Sequence, residues 1–417
     1  MTDCSASGPG CCREMQREDN RADDPLLRWR AEFPVLREAV YLISNSLGAM
    51  PRSVFESLHE YAAIWAARGV RAWVDSWWEM PVRMGDLLAP ILGSGPGDIS
   101  FHQNVTLAEA VVMSCFDFNG ARNKIVTTSM DFPSVIYLCR AQGSRGADVC
   151  VVESEDGITV ELERLLAAID ERTILVPISH VLFKSACIMD ARAIIRRAHE
   201  VGAHVVLDVY QSAGTIPVDV KDLAADFVIG GCLKWLCGGP GAAFLYVRPD
   251  LRSMLEPRLT GWMAHRDSFA FETGTIRYRE DAFRFLNGTP HIPCLYAARP
   301  GLEIIGNIGI GPIREKSVRQ ISRLAALAEE QGFPVTAPRS PDDRGGTLAV
   351  NPPHAYEVSR ELLRRNMLVD YRPGAGIRIS PHFYTTDEEL DIVIREIRSI
   401  LETRAYEAHA NTRSYVT

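Results

Sequence analysis

Six short apolar segments lie between residues 123 and 247, and stretches of helical periodicity separate them. They span 123–128, 147–153, 173–181, 204–209, 225–229 and 242–247. Each is rich in branched apolar residues, bounded by polar or turn residues and too short for an ordinary helix, which predicts a buried strand. Between the third and fourth, Ile194, Ile195, Ala198 and Val201 share one helical face, and Gly202 is placed to end that helix. Strand–helix–strand alternation implies a mainly parallel sheet with helices on both faces. The predicted fold class is α/β, a doubly wound and mostly parallel sheet followed by a smaller α+β domain.

The C-terminal third reads differently. A long amphipathic helix is predicted over 313–331, then a strand at 347–350, a helix at 356–366 and a strand at 376–380. A last helix follows Thr386, whose Thr-x-x-Glu pattern with Glu389 is a capping box, and Leu390, Ile394, Ile397 and Leu401 form its buried stripe. The expected domains are a disordered tail over 1–25, a segment over 26–60 that completes the small domain, a large domain over 61–294 and the small domain over 295–417.

Composition removes several classes of function. The 45 Lys and Arg against 53 Asp and Glu give a formal net charge of −8, without the basic balance expected of a nucleic-acid binder. No apolar run approaches the roughly 20 residues of a membrane-spanning helix, and no export signal is evident, so a cytoplasmic protein is expected. The ten cysteines are sparse for 417 residues and fall in no zinc-binding spacing, which predicts reduced thiols and no metal.

The chemistry concentrates between Leu207 and Tyr246. Asp208 ends one apolar strand, at the edge where open α/β sheets bind ligands, and Lys234 follows another, between the glycine pairs 230–231 and 238–239. A partly desolvated lysine loses affinity for its proton and becomes a nucleophile. An acid and a lysine at neighbouring strand ends can serve a pyridine aldehyde, the lysine as Schiff-base partner and Asp208 holding the ring nitrogen protonated. Either residue alone reads equally as a turn cap or a snorkelling surface lysine.

Several further motifs stand in a fixed order: Tyr41 to Gly48 (YLISNSLG), Asp131 to Ser134 (DFPS), Asp208 to Gly214, the Lys234 segment, Gly261 to His265 (GWMAH), Arg284 to Pro290 (RFLNGTP) and Ile377 to Pro381 (IRISP). Together they resemble the pyridoxal-phosphate enzymes of fold type I, in the class-V aminotransferase superfamily, and most of all its kynureninase branch. The resemblance runs from about residue 38 to residue 400. It implies pyridoxal 5'-phosphate as cofactor, an amino acid as substrate and a homodimer with shared active sites. It implies further that Val105 and Thr106, at the start of a helix capped by Thr106 and Glu109, hold the phosphate. Phe132 would stack on the ring, and Gln211 would lie near the ring oxygen. Trp262 and Thr289 would reach a phosphate, Thr289 that of the neighbouring subunit. Arg378, after a Gly-x-Gly segment, would grip the substrate carboxylate through paired hydrogen bonds, with Arg372 as second candidate and Asn45 also at the substrate. Taken singly, Val105 and Thr106 fit an ordinary helix start, Phe132 and Trp262 fit a core, and Arg378 fits a surface.

Three positions depart from the kynureninase pattern. Val135 stands where an Asp is usual, Leu233 where a Tyr precedes the lysine, and Gln211 where many members carry His. His265 and His382 are candidates for the substrate entrance. Trp65, Trp73, Trp77 and Trp78 are candidates for an aromatic wall, a core or a dimer interface. Cysteine desulfurases of the same superfamily use a cysteine in the small domain, and no cysteine follows Cys294 here. The expected activity is side-chain cleavage of an amino acid at Cβ–Cγ or Cβ–X. Amino transfer to a keto acid and a non-catalytic binding module are the alternatives.

Overall fold

The computed structural model describes residues 24–410. The expected tail, except its last two residues, lies outside them, as do Cys4, Cys11 and Cys12. Asp24 itself is ordered: its carboxylate accepts the Leu26 amide at 3.0 Å and pairs with Lys316 at 2.8 Å.

In chain order the first elements are β1 (Val40–Tyr41), α1 (Val54–Arg68), α2 (Met80–Leu92), β2 (Ile99–His102), α3 (Val105–Ser114), β3 (Lys124–Thr128), α4 (Pro133–Ala141) and β4 (Asp148–Val152). Then come α5 (Leu162–Ala168), β5 (Thr173–Ser179), α6 (Ala191–Glu200), β6 (His204–Asp208), β7 (Phe227–Gly231), β8 (Ala243–Val247) and the short α7 (Pro249–Arg252). Strands β2 to β8 form one seven-stranded sheet in the order β2-β8-β7-β6-β5-β3-β4. From β3 to β7 the pairing is parallel, and β8 alone runs against both its neighbours. The predicted strands are therefore present, each trimmed or shifted by one or two residues. Their continuous apolar runs reflect burial on both faces by helices. Asp190 caps α6 by accepting the Ala193 amide, and Gly202 just beyond it takes φ +70°, a value that favours glycine.

The topology fixes where a ligand can sit. From β3 the chain moves outward to β4, whereas from β5 it moves the other way to β6. Connections on either side of the β3/β5 boundary therefore diverge, which opens a crevice at the carboxyl ends of those strands. Asp131 and Phe132 follow β3, Ser179 ends β5, Asp208 ends β6 and Lys234 follows β7. The N-terminus of α3, after β2, opens on the same edge.

The remaining elements are α8 (Ile292–Ile308), α9 (Ile310–Glu330), β9 (Val335–Thr336), β10 (Leu348–Val350), α10 (Ala355–Arg364), β11 (Met367–Leu368), β12 (Asp370–Arg372), β13 (Gly376–Ile379) and α11 (Asp387–Glu402). Strands β12, β13, β10 and β9 make an antiparallel sheet in that order. Helices α9, α10 and α11 bury Ile321, Leu324, Val358, Leu362, Leu390 and Ile394 in a second core with it. The expected boundary at 294/295 falls inside α8, whose Leu295, Tyr296, Ala298 and Leu302 pack in the first core. The capping box of Thr386 and Glu389 is formed. The stripe of α11 is turned slightly from expectation: Val393 and Ile400 are buried in it, while Leu401 is only half-buried. No helix among the described residues is long and apolar enough to cross a membrane.

Residues 40–48 bridge the two cores. Strand β1 pairs in parallel with β11, and the Leu42 carbonyl accepts the Ser380 amide at 2.8 Å. At the other end the Gly48 amide donates to the Leu233 carbonyl at 2.8 Å. A Cβ on Gly48 would lie 2.1 Å from the Lys234 carbonyl oxygen, so only glycine permits this approach. Gly48→Ala is expected to lower stability by about 1–3 kcal/mol through forced displacement of the lysine loop, which urea unfolding measures.

Candidate active site

One cavity of about 230 Å³ opens at the carboxyl edge of the large sheet. Its wall includes Val105, Thr106, Phe132, Asp208, Gln211 and Lys234, six of the residues expected from sequence. These come from four separate segments, and the switch in strand order brings them together.

Lys234 is half-buried in the loop between β7 and β8. Its Nζ lies 4.2 Å from the ring centre of Tyr210 and 5.8 Å from that of Phe132. Burial lowers the proton affinity of its amine to about pKa 7, and the positive charges of Arg378 and Arg372 add to that, while Asp208 and Asp370 act against it. The amine is then available as a nucleophile near neutral pH. Burial acts on Asp208 in the opposite sense, raising its carboxyl to about 6 against the pull of the Tyr210 amide and Lys234. Asp208 Oδ1 accepts that amide at 2.8 Å, which fixes the carboxylate plane and leaves Oδ2 open to the cavity.

The helix start at α3 differs from expectation. Asn104, not Thr106, is the cap: its backbone is extended and its Oδ1 accepts the Leu107 amide at 3.0 Å. The amides of Val105 and Thr106 precede the first intrahelical bond, and both residues line the cavity, an arrangement suited to an anion. Glu109 takes no part in capping. It is buried on the cavity wall and neither carboxylate oxygen has a hydrogen-bond partner.

Phe132 is the N-cap residue of α4. Its ring is 45% exposed and meets Phe183 edge-on at 5.2 Å, so one flat face is left toward the cavity. Gln211 is fixed at both ends: Nε2 donates to the Asn45 carbonyl at 3.1 Å, and Oε1 accepts from Trp235 Nε1 at 3.0 Å. Its second Nε2 hydrogen remains for a ligand. Asn45 is 1% exposed and sits behind Gln211, off the wall, with both side-chain amide atoms unpartnered. Below the floor, Asp131 accepts bonds from Thr127 Oγ1, Thr128 N, Thr128 Oγ1 and Ser179 N at 2.6–2.9 Å, which ties β3 to β5.

Arg378 also stands one layer back. It is 3% exposed, and its Nε and Nη2 engage both oxygens of Asp370, its partner across β12 and β13. Nη1 donates to the carbonyl of Phe183, a cavity-wall residue, at 2.7 Å. Three of its five N–H groups are placed, and one hydrogen on each terminal nitrogen remains to form a forked end. Arg372 is more exposed and lies 3.2 Å from Asp370.

Other expected residues are elsewhere. Trp262 and Thr289 are exposed and do not line the cavity of their own chain. Trp262 joins a surface cluster with Trp78, Phe269 and Phe271. His382 is no entrance residue: it is 3% exposed, donates to or accepts nothing from the cavity, and holds the Trp235 carbonyl at 2.8 Å among aromatic rings. His265 is buried against its own turn through Asp267. Trp77 packs on Tyr61 and Tyr296 in the core, Trp73 packs on Trp77, and none of the four early tryptophans reaches the cavity. Cys232 and Cys237 are buried, and burial pushes both thiols well up. Two residues went unread in the sequence, Tyr210 and Asp370, and Glu109 was read only as a capping partner. The one local signal was Gly231, where a Cβ would lie 2.5 Å from the Tyr210 ring.

The residues present fit a flat, anion-bearing aldehyde. There are free amides for its anion, an aromatic face for its ring, an open carboxylate oxygen for a ring N–H, and a neutral amine for its carbonyl.

The sequence model of the class-V aminotransferases matches residues 40–393. A kynureninase of Burkholderia pseudomallei (strain K96243) is 29% identical over 412 residues, covering 95% of this chain and 97% of the relative. A kynureninase of Bacillus thuringiensis subsp. konkukian (strain 97-27) is 29% identical over 409 residues, covering 94% and 95%. Among solved structures, an apo cysteine desulfurase from Thermococcus onnurineus NA1 superposes with a TM-score of 0.80 at 23% identity, over 90% of this chain and 98% of that one. A mutant of C-DES with glycine covalently linked to the PLP cofactor gives 0.80 at 19% identity, over 88% and 98%.

Proposed function

This chain belongs to the class-V aminotransferase family and is a pyridoxal 5'-phosphate-dependent enzyme, and on that premise we propose that it cleaves the side chain of an α-amino acid in the manner of a kynureninase. When bound, the cofactor supplies an electron sink for negative charge at the substrate Cα. Lys234 Nζ, its proton affinity lowered by burial to about 7, takes up and returns the proton at that carbon. Asp208 Oδ2 would hold the proton on the ring nitrogen, and the amides of Val105 and Thr106 would take the phosphate. Phe132 would cover a ring face, Gln211 would serve the ring oxygen, and the forked end of Arg378 would take the substrate carboxylate, with Asn45 behind it.

The observation that carries cleavage is the packing of two proton-bearing groups, Lys234 and Tyr210, 4.2 Å from amine to ring centre. Breaking a bond beyond Cβ calls for a proton donor besides the lysine. The Tyr210 hydroxyl makes no hydrogen bond among the described residues, and burial raises its proton affinity, so it stays protonated at neutral pH. Amino transfer is a second reading. It needs only the lysine, and it draws support from Leu233 and Val135, whose apolar side chains line the wall and activate no water.

A panel of amino acids offered to the loaded enzyme without any keto acid separates the two. Repeated release of alanine or a side-chain fragment is the expected result. A keto acid formed once per active site, and no fragment, would replace cleavage by transfer. Tyr210→Phe is expected to slow fragment release by about 10²-fold or more, in the range of general acid catalysis, while exchange of the Cα proton with solvent persists.

Capture of the cofactor by the apoprotein should also depend on pH in a defined direction. Only the neutral amine attacks an aldehyde. With Lys234 lowered to about 7, the rate of covalent capture rises with pH up to about that value and then levels. A lysine of ordinary affinity would make it climb to about pH 10. Borohydride trapping at a series of pH values measures this.

The dimer belongs to the same reading. Trp262 and Thr289, exposed on their own chain, would reach the phosphate held by a second copy, and the surface rings of Trp262, Phe269 and Phe271 supply apolar area for that contact. Sedimentation at micromolar concentration is expected to show two copies.

A further inference from the structure

Glu109 is a buried carboxyl that none of these roles uses. It is 1% exposed, lies on the cavity wall, and has no hydrogen-bond partner on either oxygen. An unpaired buried carboxylate is strongly disfavoured, so such a group is retained either with a proton or with a partner. Its place on α3 is informative. Val105 and Glu109 are four residues apart and share one face of the helix. The rise between them is about 6 Å, which carries Glu109 from the anion-binding end of the cavity toward the end closed by Asp208. There Asp208 has an open oxygen, and the adjoining wall residue Val135 offers only methyl groups.

We propose that Glu109 is a positioning residue for the ring-nitrogen end of the site, working as a neutral carboxylic acid whose O–H closes onto the open Oδ2 of Asp208 as the cofactor fills the cavity. This rests on the reading of Asp208 as the partner of the ring nitrogen. Asp208 then remains the single negative charge facing that nitrogen, and Glu109 holds its carboxylate in plane. Such contacts are commonly long in an empty site and tighten when it is loaded.

The surrounding charges agree. The titratable groups around Glu109 are Asp208 at the end of β6, Asp131 ahead of α4, Cys139 on α4 and, through Asp208, Lys234 beyond β7. Burial and the negative charges of Asp208 and Asp131 push the Glu109 carboxyl well above the usual range. Asp131 already accepts four hydrogen bonds, which leaves Asp208 as the carboxylate with a free oxygen.

Two variants and two readouts test this. Infrared difference spectra of the apoprotein at neutral pH, wild type minus Glu109→Gln, should contain the C=O stretch of a protonated carboxylic acid. A carboxylate signature there instead would overturn the proposal. Glutamine keeps a neutral donor, so Glu109→Gln should bind the cofactor within about 3-fold of wild type and leave the pH titration of its visible band in place, whereas Glu109→Leu, of similar volume, should bind about 10-fold more weakly and displace that titration. Equal behaviour of the two variants, whether both weak or both unchanged, would overturn it. Lys234→Ala serves as the separate control. If it still attaches the cofactor covalently, the reading of the whole site fails, whatever Glu109 does.

Discussion

Lys234→Ala is expected to yield a folded protein that holds its cofactor by non-covalent contacts alone and turns over at least about 10³-fold more slowly. The reasoning is geometric. Among the described residues Lys234 is the only lysine on the wall of the cavity, and its amine lies near the rings of both Phe132 and Tyr210. No other wall residue offers a neutral nitrogen nucleophile, so nothing nearby replaces it. The phosphate and ring contacts of Val105, Thr106, Phe132 and Asp208 remain, and the variant should still retain the cofactor through gel filtration. Borohydride treatment followed by peptide mass analysis should place the pyridoxyl group on Lys234 in the wild type and on no peptide in the variant. A labelled Lys184 or Lys221 peptide would show that the amine has been misassigned.

Arg378→Ala is expected to lower stability by about 3–5 kcal/mol, because it strands a buried carboxylate. Asp370 is 0% exposed, and Arg378 engages both its oxygens while also holding the Phe183 carbonyl on the cavity wall. Arg372 lies 3.2 Å from the same carboxylate and is the nearby guanidinium that can respond. Asp370→Asn is the informative companion. It keeps shape and one acceptor, so the fold should survive, but the guanidinium loses its fixed plane. If the forked end binds the substrate carboxylate, KM should then rise about 10-fold or more with kcat little changed, since the contact is made in ground and transition states alike. Urea unfolding reads the first effect and steady-state kinetics the second. An unchanged KM in Asp370→Asn would remove Arg378 from substrate binding.

The contrast between these residues shows what one sequence makes readable. Asp208 and Lys234 were legible because each interrupts or follows an apolar run, and the carboxyl ends of parallel strands share one edge of a sheet. The pairing of Asp370 with Arg378 was not legible. It depends on the register of β12 against β13, which local sequence does not specify. The start of α3 was misplaced by two residues for a related reason. Asn104-x-x-Leu107 and Thr106-x-x-Glu109 offer caps at the same offset, and the extended backbone at Asn104 decides between them. That choice turned Glu109 from a capping partner into a buried acid. Tyr210 was overlooked because its contact with Lys234 joins two loops, and only the missing side chain at Gly231 makes space for the ring. The histidines failed as entrance residues through burial: His265 is turned into its own loop at Asp267, and burial pushes His382 down to about 3 and holds it neutral within the packing.

Residues 40–48 have a mechanical consequence. One end of this strap is stitched to β11 and Ser380, the other to the turn that carries Lys234, and Gln211 grips it midway at the Asn45 carbonyl. A swing of the smaller sheet toward the larger one cannot pivot freely. Its axis must pass close to the strap, or the Gly48–Leu233 bond parts. Rotations that respect that tether move Arg378 relative to Lys234 only as far as nine residues of backbone allow.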